Sequence, residues 1–515
     1  MISKPIHLKA STISVSAALS ALLLILSFPK FGNGILAWVA LVPLFHALRD
    51  AGPEEGFRIG FMTGLFAHVG ILYWISYAVV KHGHLPIYMG ISAMLLLAAY
   101  LSLYTAFFAA GLTFLRARGS ALYLTAPPLW TILEFMKSHF LTGFPWENLA
   151  YSQYHFGNII QIADITGTYG ISFAIVLINA VLYDIVAARF KRARYPVTGI
   201  ATAAAVLLAI YSYGHFRIAD IQESMRETGS IEVALVQGNI DQSIKWDDRY
   251  QSETLDIYRS LSLESLPAMD GLLVWPETAA PFYFERPGTE REAVIQLTRI
   301  SGRSLLFGSP RYEEGDGKVS LMNSAYLLRS DGVVAGRYDK THLVPYGEYV
   351  PLKQYLPFMG KLVAGVGDFR PSSKFAPLSH NGHRLGVLIC YEAIFPEAAR
   401  SYKNQGAGLL INITNDAWFG RTSAPFQHLS MTVFRAIENR LYLVRAANTG
   451  VSAVIDPTGI IRSRTDIFER TVLRGRVKFI DERTFYAAYG DLFVYACALL
   501  LILTDFIQRR RMKNA

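Results

Sequence analysis

Residues 384–392 read RLGVLICYE, an apolar run that ends in Cys390, Tyr391 and Glu392. The run has the length and composition of a buried β-strand, so Cys390, one of only two cysteines in the chain, lies where a strand ends and a turn begins. A thiol at such a position can leave the sheet and enter a pocket, as the nucleophiles of acyl-transfer enzymes do. The pattern predicts a nucleophile, although a lone cysteine is more often a small buried hydrophobic residue.

Two strand-like runs upstream end in side chains that complement a thiol. Residues 272–276 (LLVWP) precede Glu277, and residues 333–339 (VVAGRYD) precede Lys340. A carboxylate in a dry pocket can take the thiol proton, and an ammonium can stabilise the negative charge that develops during acyl transfer. Either residue alone could be solvated at a strand end. A base, a cation and a thiol at three strand ends together predict acyl transfer.

The composition indicates that part of the chain lies in a membrane. Of 515 residues, 52% are hydrophobic, and the mean hydropathy of +0.28 exceeds that of most soluble enzymes. The net charge of +9 comes largely from Lys and Arg clusters beside apolar runs, with no basic helix interleaved with aromatics, so it indicates membrane topology and not nucleic-acid binding. Cys497 lies within an apolar run, so we expect no disulfide and a free Cys390 thiol.

Eight apolar runs are predicted to span the roughly 30 Å hydrocarbon core, at residues 11–29, 33–48, 59–80, 86–115, 121–137, 159–188, 196–213 and 485–507. The first run lacks a small-x-small cleavage site, which favours an uncleaved signal anchor over a cleaved signal peptide. Basic residues near 4–9, 49–58, 116–118, 189–194 and 509–513 should all face the cytoplasm. This orientation places both termini in the cytoplasm and the long polar segment in the periplasm of a bacterium, with the spans in the inner membrane.

We therefore expect three segments: an N-terminal transmembrane helical domain of about seven spans (1–215), an extracytoplasmic catalytic domain (216–483), and a C-terminal transmembrane helix with a basic cytoplasmic tail (484–515). The middle segment predicts an α/β fold. Its strand-like runs are 231–236, 272–275, 304–307, 324–328, 384–389, 409–413, 443–447 and 451–455, and helical patterns cover 252–263 and 290–301. Turn signals occur at 331–332 (DG) and 456–459 (DPTG).

The local sequences around the three candidate residues carry a family resemblance. WPE at 275–277, YDKTHLVPYGE at 338–348 and CYE at 390–392 resemble the signature blocks of the nitrilase (carbon-nitrogen hydrolase) superfamily. That resemblance implies an αββα sandwich and a Glu-Lys-Cys triad formed by Glu277, Lys340 and Cys390. GFPW at 143–146 with AYSQ at 150–153, VQGN at 236–239 with KW at 245–246, and NDAWFG at 415–420 narrow the resemblance to the family of apolipoprotein N-acyltransferases.

The resemblance also implies supporting roles. Glu348 would orient the Lys340 ammonium, Tyr391 and Glu392 would shape the pocket, and a backbone N–H in that turn could join the oxyanion hole. Four aromatic side chains are candidates for substrate binding, with core packing as the alternative: Trp146, Trp246, Trp418 and Phe419. Spaced glycines at 360–367 fit an apolar lid.

The resemblance implies a membrane-embedded acyltransferase (EC 2.3.1 class) that works through a Cys390 thioester with ping-pong kinetics. Its acyl donor would be a glycerophospholipid, with phosphatidylethanolamine as the first candidate, and its acceptor would be a diacylglyceryl apolipoprotein. We expect a monomer that binds no cofactor and no nucleic acid. We also expect no metal, because His342 and His428 lack a close ligand pattern. Two alternatives remain at this point: a membrane-tethered nitrilase-type amidohydrolase acting on a small amide or nitrile, and a catalytically inactive protein that escorts lipoproteins.

Overall fold

The fold is taken from a computed structural model that describes residues 10–83, 85–191, 194–243, 245, 248–266, 271–315, 318–349 and 369–514. The chain forms two compact units. The first, here called the membrane unit, comprises Met1–Ser76, Ile87–Ile218 and Tyr489–Ala515. The second, here called the catalytic unit, comprises Tyr77–Pro86 and Ala219–Ala488.

Eleven described α-helices have more than one residue in the membrane unit. They are α1 (Ala10–Ser27), α2 (Val42–Ala47), α3 (Pro53–Ile71), α4 (Trp74–Gly83), α5 (Ile87–Ala117), α6 (Leu122–His139), α7 (Gly157–Ile160), α8 (Ala163–Thr166), α9 (Tyr169–Lys191), α10 (Val197–Arg226) and, at the C-terminal end of the chain, α16 (Leu492–Asn514). The described part of α4 from Tyr77 onward, and α10 from Ala219 onward, belong to the catalytic unit.

Four helices of the described chain are long and apolar enough to cross a membrane: α5, Tyr169–Phe190 within α9, α10 and α16. The pair α3 and α4, bent by 52°, would make a fifth. The predicted run 159–188 is not one helix, because Gly167 takes a φ of +60° and ends α8 before α9 begins at Tyr169. Several apolar helices are thus confirmed, whereas the number of eight spans stays a prediction.

The catalytic unit contains two six-stranded sheets. The strands are β1 (Ser230–Gln237), β2 (Leu272–Val274), β3 (Ser304–Gly315), β4 (Lys318–Leu328), β5 (Val334–Asp339), β6 (Leu378–His380), β7 (His383–Ile389), β8 (Leu409–Thr414), β9 (Tyr442–Ala447), β10 (Ala453–Ile455), β11 (Ile461–Arg464) and β12 (Thr471–Lys478). The first sheet has the order β12-β1-β2-β3-β4-β5 and the second the order β11-β10-β9-β8-β7-β6.

Each sheet has three parallel strands at its centre. In the first sheet β1, β2 and β3 run parallel, and in the second β7, β8 and β9 do. The remaining pairs are antiparallel. Because the carboxyl ends of parallel strands meet at one edge of a sheet, the residues that follow β2, β7 and β8 are brought to the edges where functional side chains usually collect.

Five further helices complete the described part of this unit: α11 (Gln251–Glu264), α12 (Thr289–Ser301), α13 (Pro396–Asn404), α14 (Ala424–Asn439) and α15 (Phe485–Tyr489). Leu255 of α11 and Val294 of α12 share a buried core with Leu273 and Phe307 of the first sheet. Gly386 of β7 lets α13 approach the second sheet, since a Cβ there would lie 2.7 Å from the Tyr402 ring.

The two sheets face each other, because a Cβ added at Gly475 of β12 would lie 2.7 Å from the Val454 side chain of β10. With helices on both outer faces, the layers form the αββα sandwich that the family resemblance implies. This fold class is confirmed.

A buried polar network ties the three central strands of the second sheet together. Arg445 of β9 donates through Nη2 to Asp416 Oδ2 (2.6 Å) and through Nη1 to Asn412 Oδ1 of β8. Asn412 in turn donates to the carbonyl oxygen of Leu388 in β7 (2.9 Å). The side chains of Arg445 and Asp416 are fully buried, so each charge depends on the other for compensation. The network thereby fixes the strand that carries Cys390.

We predict that Arg445→Met destabilises the catalytic unit by about 3–5 kcal/mol, because it leaves the Asp416 carboxylate buried without its counter-ion. The matched control is Arg476→Met, which removes a largely exposed ion pair with Glu232 (3.2 Å) and should cost about 0–1 kcal/mol. Denaturant titration of the detergent-solubilised protein measures both free energies of unfolding. Equal losses for the two variants would contradict the role of the network.

Candidate active site

Cys390 occupies a sharp turn directly after β7. Its φ is +52°, a left-handed conformation that non-glycine residues seldom adopt and that is concentrated at functional sites. The thiol side chain is 8% exposed. Glu392 secures the turn by accepting the backbone N–H of Ile389 on Oε2 (2.8 Å).

The carbonyl group of Cys390 is also held. His428 of α14 lies with Nε2 3.2 Å from the Cys390 carbonyl oxygen, and its Nδ1 lies 3.0 Å from Arg445 Nη2. Burial, followed by the Arg445 charge, lowers the pKa of His428. Nδ1 also lies 3.2 Å from Asp416 Oδ1, so His428 joins the Cys390 turn to the buried pair of Arg445 and Asp416. The buried network of Arg445, Asp416 and His428 therefore stabilises the strained backbone of the turn.

Glu277 follows β2, and its carboxylate is fixed by one donor on each oxygen. Asn323 Nδ2 donates to Oε1 (2.8 Å), and the backbone N–H of Asn415 donates to Oε2 (2.9 Å). Gly308 of β3 passes close to this segment, since a Cβ there would lie 2.4 Å from the backbone nitrogen of Thr278. Glycine is required at this approach, which brings β3 against the backbone of the segment that carries Glu277.

Lys340 follows β5 and is 1% exposed. Its ammonium lies 2.8 Å from Glu348 Oε2 and 3.7 Å from Glu277 Oε1. Burial acts to lower the pKa of Lys340, but the carboxylates of Glu348 and Glu277 outweigh it and hold the pKa above its ordinary value. Lys340 is thus a cation at neutral pH, paired with Glu348 and Glu277, two of the three glutamates named from the sequence.

Burial, and after it the negative charge of Glu277, raises the pKa of the Cys390 thiol, while the Lys340 charge opposes the rise. The Lys340 ammonium and the Glu277 carboxylate lie 3.7 Å apart, and the charges of both act on the buried Cys390 thiol. The resting thiol keeps its proton under this field, and a base next to it can accept that proton when a carbonyl group arrives.

Glu392 connects the Lys340 segment to the nucleophile turn. Its Oε1 accepts the Tyr338 hydroxyl (2.7 Å) and the backbone N–H groups of Thr341 (2.7 Å) and His342 (3.0 Å). With the Ile389 donor on Oε2, four donors occupy this carboxylate. Glu392 therefore joins the nucleophile turn to the segment that follows Lys340, and three of its four donors are backbone N–H groups.

Tyr391 and two of the four candidate aromatic residues, Trp418 and Phe419, lie in the catalytic unit. Tyr391 is 8% exposed and packs edge-to-face on Phe395, with ring centroids 5.0 Å apart. Trp418 is 36% exposed and contacts the ring of His82 at 5.0 Å. Phe419 is half-buried and lies 6.5 Å from His428. Of these, Trp418 has the most surface free to meet an acyl chain.

The other two aromatic candidates fall elsewhere. Trp146 belongs to the membrane unit, where it is 3% exposed and packs against Trp74 (4.8 Å) and Phe144 (6.0 Å), as the core-packing alternative expects. Trp246 and the predicted lid at 360–367 lie outside the described residues. Within the described part of the chain, no group of three or more His, Cys, Asp or Glu side chains could hold a metal ion.

Three site residues have no role in the sequence prediction: Lys245, Asn323 and Asn415. Lys245 is 1% exposed and donates to the backbone carbonyl oxygen of Glu277 (3.0 Å); burial lowers its pKa to about 8, against the charges of Glu277 and Cys390. Asn415 follows β8 as Cys390 follows β7, so the rule of strand ends could have found it. Lys245 stands in the KW motif at 245–246 that carries part of the family resemblance, but nothing in the local sequence marks Asn323.

Comparison with known proteins places both units in one family. The apolipoprotein N-acyltransferase N-terminal domain matches residues 20–181, and the carbon-nitrogen hydrolase domain matches residues 232–483. Among solved structures, an amidase of the nitrilase superfamily from Nesterenkonia is 23% identical, covers 51% of this chain and 95% of its own, and has a TM-score of 0.38.

Curated relatives match along nearly the whole chain. The apolipoprotein N-acyltransferase of Geobacter metallireducens is 48% identical over 486 residues, which is 93% of this chain and 92% of the relative. That of Shewanella oneidensis is 33% identical over 508 residues, 94% of each chain, and that of Methylococcus capsulatus is 30% identical and covers 96% of each. Full-length similarity at these levels, together with the matches of both domains, means that this chain belongs to the apolipoprotein N-acyltransferase family.

Proposed function

We propose that the protein is a monomeric, multi-pass enzyme of the bacterial inner membrane that completes lipoprotein maturation. It transfers a fatty acyl chain from a glycerophospholipid to the α-amine of the N-terminal diacylglyceryl cysteine of an apolipoprotein. Phosphatidylethanolamine is the first candidate for the acyl donor. One observation carries the proposal. The chain is 48% identical to a curated apolipoprotein N-acyltransferase, and it contains the buried cluster of Glu277, Lys340 and Cys390. Tyr391, Trp418 and Phe419 would border the acyl chain.

In the first half-reaction Glu277 accepts the Cys390 proton as the sulfur attacks the ester carbonyl carbon of the phospholipid. A C–S bond forms, the carbonyl π electrons move to oxygen, and the Lys340 ammonium stabilises the oxyanion. The tetrahedral intermediate then collapses and its C–O bond breaks. The leaving alkoxide takes the proton from Glu277 and departs as a lysophospholipid.

In the second half-reaction the neutral α-amine attacks the thioester carbonyl carbon. Glu277 accepts the amine proton, Lys340 again stabilises the oxyanion, and the C–S bond breaks. The thiolate recovers the proton from Glu277, and the product is an amide. Since the first product leaves before the second substrate reacts, ping-pong kinetics follow.

The hydrolase alternative uses the same acyl-enzyme but water as acceptor. Lipid transfer is favoured because the N-terminal domain of the apolipoprotein N-acyltransferases matches residues 20–181 and several apolar helices accompany it. The alternative of an inactive escort protein is disfavoured by the complete Glu277, Lys340 and Cys390 cluster.

Purified enzyme given a phospholipid with a labelled acyl chain, and no acceptor, should accumulate label on Cys390 as a thioester. Neutral hydroxylamine should release the label, and a diacylated lipopeptide with a free α-amine should take it up. Mass spectrometry of the peptide that contains Cys390 measures the adduct, and Cys390→Ala is the control that never forms it. Rapid loss of label to water without transfer would support the hydrolase instead.

We predict that Glu277→Gln and Lys340→Met each lower the rate of acyl transfer by at least about 10²–10³-fold, the loss typical for one oxyanion donor. Each change removes a proton acceptor or a charge with little change in volume. The matched control is Glu285→Gln, whose half-exposed carboxylate forms surface ion pairs with Arg311 and Arg337 and should leave the rate unchanged. A wild-type rate in either site variant would remove that residue from the mechanism.

The proposed orientation has the catalytic segment in the periplasm and both termini in the cytoplasm. In a chain without native cysteines, Ser252→Cys should react with a membrane-impermeant thiol reagent added to spheroplasts, whereas Arg194→Cys should react only after the membrane is permeabilised. Both positions are exposed, so accessibility reports topology. Equal labelling of the two in intact spheroplasts would refute the orientation.

A further inference from the structure

The membrane unit contains a cavity that the proposed mechanism does not use. About 610 Å³ of space that no atom fills lies within it, including the part that is open to the surroundings. Part of its lining is apolar, with Phe28, Leu101, Phe108 and Leu133. The rest is polar and titratable, with His68, Tyr104, Glu134, Lys137 and Glu147. A cavity with one apolar and one charged portion suits an amphiphile.

Glu147 is the unusual member of this lining. Its side chain is buried, at 7% exposure, and its backbone has a φ of +53°. Neither carboxylate oxygen has a hydrogen-bond partner among the described residues. A buried carboxylate with free lone pairs is strongly unfavourable, so a bound donor or a proton must compensate it.

Glu134 adds a second acceptor at the same cavity. Its Oε1 accepts the Trp130 indole N–H (3.3 Å) and the backbone N–H of Leu149 (2.7 Å). Its Oε2 is buried and has no hydrogen-bond partner in the described parts of the chain. Three carboxylate oxygens of two lining residues therefore lack a hydrogen-bond partner among the described residues.

The cations at the cavity do not use these oxygens. The Lys137 ammonium donates to the Trp146 carbonyl oxygen (3.4 Å), and His68 lies with Nδ1 2.8 Å from the Gly64 carbonyl oxygen. The lining thus has two carboxyl groups against one ammonium group, and neither Lys137 nor His68 is hydrogen-bonded to the three unpartnered carboxyl oxygens within the described residues. The complement is a compact cation with several N–H donors, which describes a primary ammonium.

We propose that this cavity binds the primary ammonium group of an acylated amphiphile, with Glu147 as its principal acceptor and the apolar lining around its hydrocarbon. The inference rests on the proposed function in one respect: both proposed substrates carry this chemistry. The donor has an ethanolamine headgroup, and the acceptor has the α-amine of a diacylglyceryl cysteine. A trimethylated headgroup has no N–H donor and would leave Glu147 uncompensated.

The test measures lipid binding to the full-length Cys390→Ala protein in detergent by native mass spectrometry, so that no acyl transfer intervenes. One arm compares dioleoyl phosphatidylethanolamine with dioleoyl phosphatidylcholine. The other compares a diacylated lipopeptide that has a free α-amine with its N-acetyl derivative. We expect at least tenfold tighter binding of the free amine in one arm or both, and the arm that responds identifies the source of the ammonium.

Glu147→Gln and Glu147→Leu should both abolish that preference. Because Glu147 makes no hydrogen bond within the described residues, neither substitution breaks one, and we expect both variants to fold and Glu147→Leu to unfold at a higher temperature than its parent. The matched control is Glu54→Gln on α3, because the side chain of Glu54 is 83% exposed. This variant should keep the preference for the free amine.

Two results overturn the inference. One is equal binding of the free-amine and blocked ligands, and the other is a preference for the free amine that survives both Glu147 variants. Either result would be expected if the cavity held only water. The acyl-enzyme assay on Cys390 separates this failure from failure of the proposed function. An intact acyl-enzyme with no amine preference defeats only the cavity proposal. Loss of the acyl-enzyme with the Glu147-dependent preference retained defeats only the acyl-transfer mechanism.

Discussion

The ammonium of Lys340 is removed from water and compensated by two carboxylates, and the arrangement of the site depends on this interaction. A buried cation is tolerated only when anions and hydrogen bonds replace its hydration. Glu348 lies at 2.8 Å and Glu277 at 3.7 Å, and Asn323 Nδ2 donates to both carboxylates at 2.8 Å. The carboxylates are therefore held relative to each other as well as to the cation. Displacing one of these groups would expose an uncompensated charge, which explains why segments from several strands converge here with so little freedom.

Three glutamates share the site, and their hydrogen-bond partners assign them different duties. Glu392 accepts four donors, three of them backbone N–H groups, and so holds the chain. Glu348 faces the ammonium directly and accepts the backbone N–H of Val344 (2.8 Å), which suits a permanent counter-ion. Glu277 has one donor on each oxygen and keeps lone pairs for a moving proton. Residue type alone does not separate these three positions, whereas the number and kind of their hydrogen-bond partners do.

The sequence was sufficient for those features that local patterns encode. Apolar runs that end in a polar side chain identified β2, β7 and the residues Glu277 and Cys390 after them, because a buried strand and its exit are contiguous in the chain. Strands β11 and β12 were not predicted, since alternating charged residues such as Arg462 and Arg474 leave no continuous apolar run; their pairing depends on partners distant in sequence. Lys245 and the Arg445 network could not be predicted for the same reason. Their partners lie on other strands, and only folding makes them neighbours.

The protonated state of Cys390 has a consequence for the lifetime of the enzyme. Peroxides and disulfides react with thiolates and hardly at all with thiols. Burial and the neighbouring carboxylate keep the Cys390 pKa raised, and both cysteines of the chain are free and buried. In an oxidising compartment, such as the one proposed for this unit, an idle enzyme would resist sulfenic acid formation and mixed disulfides without a resolving cysteine or a dedicated reductase. The field that delays deprotonation until a substrate carbonyl is present also protects the sulfur from oxidants between turnovers.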